Sequence, residues 1–487
     1  MNQNQETEKF QLRNWELVSV NPNNRNWVWS DYFNYWAISI QSVIGFSLIA
    51  SLYLIYDLNS IIVFSGCLIA TLMIFILINI IGKISQSSGL PFPVILRLSM
   101  GFNGARYIGM LRGLVGIFMF GVQTFFISKS IGYLIRIMFF SIDNNFLDQE
   151  IFLSFFMGLN IIDWAAFILT LLIQYLVFSN GQSTNRTFIS FSALFVYLGL
   201  ILFSVIIISE NFNELSSSLK LSLNIDNAIA KNNLVPLLTV IGTMFTYFSI
   251  VIVNFGDFSR YVKNENELSK GNLSLILNLI LFSFLAILIV LGVDIILTKN
   301  MIQIDQLLTN PTDIIGKFDN TYLTVVTLIF ILFASASTNL IANYIPSQNI
   351  LLNFLPKNLS LKSSGFLIIL LSFFVGLFWL PLLSQIGILS FVDTIGAFFG
   401  PIFGIIIADY YLVKKKQIIN KDIFSSSKHG AYYFSGGWHI KAIYSLFIAF
   451  IFSASTIWNQ DLGFLQSYSW LIGASIGFVM YYLLSEK

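Results

Sequence analysis

The chain alternates long apolar runs with short polar breaks. Twelve runs reach the roughly 20 residues that an α-helix needs to cross a bilayer. They predict helices over 33–56, 59–82, 106–138, 162–179, 187–208, 234–258, 272–297, 321–345, 364–381, 386–412, 440–457 and 467–484. The apolar run 151–160 is too short to cross and predicts a helix lying in the outer interface. The polar first 32 residues hold no apolar stretch of the kind a secretory signal needs.

Lysine and arginine orient these helices. With the N-terminus inside, 20 of the 26 Lys and Arg fall in inner segments, Lys9, Arg13, Lys421 and Lys487 among them. Lys129, Arg136, Lys220, Lys231, Lys299 and Lys317 remain outside. The bias alternates loop by loop, and an odd number of spans would scramble it. The reading is a multi-pass protein of the plasma (inner cell) membrane with both termini cytoplasmic. The long outer loops, near 209–233 and 298–320, carry Glu210, Glu214, Asp305 and Asp313. The inner loop 413–439 has room for a small ordered element. Its Lys414-Lys415-Lys416 run reads as a stop at the headgroups.

Composition narrows the function classes. Hydrophobic residues make up 56% and charged residues 10%, against about 45–50% and about 25% in a soluble domain. A soluble enzyme, a disordered chain and a disulfide-rich secreted domain are excluded. A net charge of +2 leaves no broad surface for nucleic acid. One cysteine, Cys67, permits neither an internal disulfide nor a zinc site built on cysteines. His429 and His439 lie in or beside the 413–439 loop, not where a proton relay would run. A membrane enzyme would need converging nucleophiles, metal ligands or paired acids, which are absent from the pattern. A channel would differ from a carrier by its far higher turnover.

Polar groups inside apolar helices mark cavities or helix contacts. Four carboxamides stand out: Gln41, Gln123, Asn339 and Asn343. Asn339 and Asn343 share a helix face. Amides that both donate and accept could read the edge of a planar ring; the plainer role is helix–helix contact. Ser337-Thr338 puts two hydroxyls side by side at mid-span, the hard oxygen chemistry that sodium prefers. Gly45 and Gly242 are candidate helix breaks, in the first and sixth spans, which would each open one five-span half of an inverted-repeat carrier. Asp163, Asp294 and Asp409 read as interfacial, and Asp393 sits in a polar patch with Thr394. Asp257 reads as a local ion pair with Arg260, or a cap.

Several motifs then resemble one family. Residues 89–104, GLPFPVILRLSMGFNG, resemble the G-x-P-F-x-V-x-x-R-x-x-F-G-x-x-G stretch of the nucleobase:cation symporter-1 family, with Met100 in place of the usual Phe. Phe120–Thr124 resembles its F-G-x-Q-T, Asn254–Arg260 its N-x-x-D-F-S-R, and Ser337–Asn343 its S-T-N-x-x-x-N. Gly400–Tyr410 is similar to its G-P-x-x-G-x-x-x-x-D-Y, and Asn14–Trp27 to its N-terminal N-x-D/E-L…R-x-W. The resemblance covers almost the whole chain in order.

That resemblance implies an all-α membrane protein with twelve helices in a five-plus-five inverted-repeat fold like that of amino acid–polyamine–cation transporters. The organisation would be a cytoplasmic segment 1–32, a first repeat 33–208, an extracellular loop 209–233, a second repeat 234–412, a cytoplasmic loop 413–439 and two further helices in 440–487. The implied function is sodium symport of a nucleobase or related heterocycle, of the uracil, cytosine, purine, allantoin or hydantoin class. Proton-coupled uptake of a related heterocycle, such as a vitamin precursor, is the alternative. The first, second, sixth and seventh spans would rock against the third, fourth, eighth and ninth. Sodium would meet the carbonyls of Ala37, Ile40 and Ala334 and the hydroxyls of Ser337 and Thr338. Substrate would meet Gln41, Gln123 and Asn343, with Tyr247 and Phe248 where the family places a stacking ring. One departure stands out: Met119 replaces a Trp common in the family, and a thioether is not an aromatic platform. No cofactor beyond the coupling ion is expected, and a monomer suffices.

Overall fold

A computed structural model describes residues 14–485, except 56–57, 144, 223–233, 300–306, 316, 318–319, 386–387, 420–421 and 426. Lys9, Arg13, Lys231, Asp305, Lys421 and Lys487 therefore lie outside the described residues. The described chain is helical, with only isolated β-bridges beside the helices. Among the described residues, ten helices are long and apolar enough to cross a membrane. A bent pair, Trp29–Ile40 and Val43–Leu54, supplies another span, and the shorter Leu361–Leu377 helix completes twelve.

Local chemistry sets the helix ends. The second span, Ser60–Ser88, starts where the Asn59 side chain accepts from the Ile61 amide at 2.9 Å. It stops at Gly89, whose φ of +73° is the left-handed cap that glycine adopts without strain. The fourth and eighth spans, Ile161–Phe178 and Thr321–Phe354, start on Asn160 and Asn320 in the same manner.

The first span is interrupted, and the sixth ends at a turn. The first bends by 72° at Gln41-Ser42. Ser42 there opens a new helix by accepting from the Gly45 amide at 3.0 Å. Gly45 lies beyond the break rather than at it. A Cβ on Gly45 would collide with the Ile40 carbonyl and the Tyr247 hydroxyl, so it is a close-approach position. The sixth span, Leu234–Ile252, is continuous through Gly242. Gly242 admits Ser467 and Tyr468 of the last span instead, and the span ends before the turn at 253–255 and the short helix Gly256–Ser259.

The N-terminal segment and the loops expected on its side meet at one end of the bundle. Ser19 donates to the Ser88 carbonyl and Arg25 to that of Gln86. Arg186 pairs with Asp31 at 2.7 Å. Trp27 and the 261–263 segment exchange backbone bonds of 3.0 Å. Asn14 donates to the Pro356 and Leu359 carbonyls at 2.9 and 2.7 Å, and Lys414 to that of Leu98 at 2.8 Å. Such closure needs an even number of crossings between each pair of these segments.

Several local expectations change. The run 151–160 is not one interfacial helix. Its helix ends at Leu153, and a turn through Met157 and Gly158, both at positive φ, closes the Phe156–Leu159 bridge. The loop near 209–233 opens as helix, because the fifth span continues to Ser222 past a kink at Asn211. Asp409, near the end of its span, does not face solvent. It is fully buried, paired with Lys414 at 2.5 Å, and accepts from the Tyr481 hydroxyl at 2.6 Å. Asp163 is buried with Arg136 at 3.0 Å, whereas Asp393 is exposed. Arg260 pairs with Glu16 at 3.2 Å rather than with Asp257. Asp257 accepts from the Phe92 amide, at the start of the Phe92–Met100 helix, at 3.1 Å.

Candidate transport site

The site grows from the break in the first span. The last carbonyls of a helix have no partner within it, so the break at buried Gln41-Ser42 frees oxygen acceptors inside the helix bundle. Thr338, on the eighth span, donates its hydroxyl to the Ile38 carbonyl at 2.7 Å and to the Ala334 carbonyl at 2.9 Å. Ser337, fully buried, donates to the Ala334 carbonyl at 3.1 Å. Ser337, Thr338 and Ala334 thus form one oxygen cluster facing the broken helix. The Ala37 carbonyl accepts from the Gln41 backbone N–H at 3.0 Å, and that of Ile40 lies against Gly45. Ile38 is the acceptor that sequence did not single out. Which carbonyl of a broken turn faces the eighth helix depends on helix rotation, which no residue type encodes. The donor set is oxygen alone, the set a hard cation takes.

The carboxamides form a second cluster. The eighth span is α-helical to Asn339, passes through a π turn at Leu340–Tyr344, and resumes at Ile345 with Pro346 in its first turn. Such bulges are frequent at functional sites. Asn343, in the π turn, donates to Gln123 Oε1 at 3.1 Å and to Asn339 Oδ1 at 2.9 Å. Asn339 donates to the Thr124 hydroxyl at 3.1 Å, which donates to Gln174 Oε1 at 2.8 Å. Gln123 donates to the Ser335 carbonyl at 3.1 Å. Gln123 is half-buried and Asn343 buried. A chain of amides therefore joins the third, fourth and eighth spans.

The remaining site residues sit apart from that chain. Gln41 donates to the Ala193 carbonyl at 3.3 Å, and its buried Oε1 has no partner. The Tyr247 hydroxyl donates to the Ser39 carbonyl at 2.8 Å and lies 3.1 Å from Ser42 Oγ, so it latches the sixth span to the break. Phe248 is buried edge-on against Trp36 and is not brought to the amides. Met119 is half-buried one turn before Gln123. A cavity of about 260 Å³ lies beside Gln41 and Ala334, walled by Phe46, Phe203, Phe282 and Leu323. Neither Gln123 nor Asn343 lines it. Gln123, Asn339 and Asn343 bond to one another and to neighbouring groups, whereas Gln174 Nε2 is buried without a partner; a ligand reaching Gln123 or Asn343 must exchange its own hydrogen bonds for theirs.

Comparison with known proteins bears on this arrangement. Residues 19–483 match the family model described as permease for cytosine/purines, uracil, thiamine and allantoin. The chain is 25% identical to the allantoin permease of Bacillus subtilis, over 97% of this chain and 93% of that protein. It is 26% identical to the purine-uracil permease NCS1 of Arabidopsis thaliana, over 97% and 74%. Among solved structures, Mhp1, a nucleobase-cation-symport-1 family transporter in a closed conformation with bromovinylhydantoin bound, matches with a TM-score of 0.67 at 18% identity, over 96% and 95%. The fold is the helical inverted-repeat transporter fold, and the molecule is a multi-pass membrane permease rather than an enzyme. The chain belongs to the nucleobase:cation symporter-1 family.

Proposed function

We propose that this permease imports a nucleobase or related nitrogen heterocycle by sodium symport and alternating access, with both termini cytoplasmic and one chain sufficing. The observation that carries the reading is the double attachment of Gln123. It accepts from Asn343 and donates to the Ser335 carbonyl, two residues before Ser337. A substrate that takes over the Gln123 amide disturbs the turn bearing the Ser337 and Thr338 hydroxyls. An ion ordering that turn likewise fixes Gln123. Coupling of this kind is reciprocal by linkage. Allantoin and uracil, in the relatives' names, present N–H and C=O groups side by side, an edge that carboxamides match.

The test is uptake into proteoliposomes of uracil, cytosine, hypoxanthine, allantoin, hydantoins, thiamine and pyridoxine precursors, in sodium and in choline buffer. One or more of them should accumulate only with an inward sodium gradient. Equal uptake in both buffers, driven by a pH gradient, would replace sodium with the proton.

A further inference from the structure

Asp257 is a buried carboxylate outside the site described above. It lies in the short helix Gly256–Ser259, beyond the end of the sixth span. Its Oδ1 accepts from the Phe92 amide, and its Oδ2 has no partner of hydrogen-bonding geometry, although the neighbouring Asn349 amide favours the charged form. Two guanidinium groups face it without pairing. Arg112, on the third span, bonds Asn254 Oδ1 at 3.1 Å and the Ala342 carbonyl at 2.5 Å, and its Nη1 is buried without a partner. Arg260 bonds Glu16 and Tyr261. The other titratable neighbours are Tyr35, from the first span, and Tyr261. A carboxylate this buried, with no ion pair and one oxygen without a hydrogen-bond partner, is only partly compensated.

A polar cavity of about 20 Å³ reaches this carboxylate. It is lined by Glu16, Asn185, Asp257, Arg260, Gln348 and Asn349 among others, and is large enough for one water molecule. Asp257, Asn185 and Arg260 each leave a buried polar atom unpartnered. Asn185 belongs to the fifth span and Gln348 and Asn349 to the eighth, so the cavity lies between them and the moving sixth-span end. This is the end of the bundle where the inner segments close on one another.

We propose that Asp257 is a proton-binding site, distinct from the sodium and substrate site, and that the proton it holds keeps the inner face closed until it is lost to the cytoplasm. The inference rests on the alternating-access reading. The sign follows from the two states. Closed, burial pushes the Asp257 carboxyl up to about 7, against the pull of Arg260 first and of Phe92, Asn349 and Arg112 after it. Open, water reaches the carboxyl and returns it toward the ordinary Asp range near 3.9. The closed state therefore binds the proton more tightly, is favoured at low pH, and loses that advantage as pH rises through about 7.

The test uses the full chain in detergent, without substrate or sodium, so that it does not depend on transport. Asn185→Cys, in a Cys67→Ser background, reports opening of the cavity through its rate of thiol labelling. Each rate is normalised to unfolded protein at the same pH. With Asp257 present, the normalised rate should rise about tenfold from pH 6 to pH 8. Asp257→Asn, a permanent mimic of the protonated acid, should stay low and flat. Asp257→Glu should keep the rise. A flat profile with Asp257 present, or an equal rise in Asp257→Asn, overturns the proposal. The first of these outcomes needs no Asp257 variant and so stands even if Asp257→Asn fails to fold. Sodium-driven uptake with a flat labelling profile would discard the proton site and leave the transport reading intact.

Discussion

The Thr338 hydroxyl meets the Ile38 carbonyl at 2.7 Å, and this bond joins the unbroken eighth helix to the broken first. It crosses the boundary between the two groups of helices whose relative rocking would carry substrate across. An ion bound beside it would hold both groups at once.

Thr338→Ala removes this bond and one oxygen of the cluster. A buried hydrogen bond of this kind contributes about 0.5–1.5 kcal/mol. The variant should unfold at a slightly lower temperature. It should also lose most of the thermal stabilisation that wild type gains from sodium over choline. An undiminished sodium shift would move the ion site away from Thr338.

Gln123→Ala and Asn343→Ala should each weaken apparent substrate affinity tenfold or more, because a lost partner leaves a buried amide unsatisfied at about 1–3 kcal/mol. The two residues bond to each other at 3.1 Å, so the double variant should cost less than the sum. Strict additivity in a binding assay would mean that the substrate does not use the pair.

Met119→Trp tests the missing ring. Met119 is half-buried one turn from Gln123. With a flat substrate stacked at this position, the indole should preserve or tighten binding. With a bulky or non-planar substrate it should block uptake. Competition binding with the best substrate of the uptake panel distinguishes these outcomes.

Gly45→Ala puts a methyl group where the Ile40 carbonyl and the Tyr247 hydroxyl already lie. Overpacking typically costs about 1–3 kcal/mol, and here it would push the sixth span off the break. Transport should fall together with thermal stability. Tyr247→Phe, which removes only the latch to Ser39 and Ser42, should lower transport with a smaller loss of stability.

Much of the molecule was legible in the order of its residues. Helix number follows from the length of the apolar runs, because an unpaired backbone in lipid leaves a span no other form. The alternation of lysine and arginine between loops forecast the meeting of Asn14, Arg25, Arg186 and Lys414 at one end. The amide positions were also legible, because Gln and Asn stand out in apolar helices. Their arrangement was not. The tertiary structure alone decided that Asn343 turns to Gln123 through a π bulge and that the first span breaks at Gln41 rather than Gly45. It alone decided that Arg260 reaches Glu16 and leaves Asp257 in a cavity. The reason is physical. Composition and periodicity report what each residue tolerates on average over a whole helix. A hydrogen bond depends on ångström-scale rotation and register between helices, which only the packing of all the others determines.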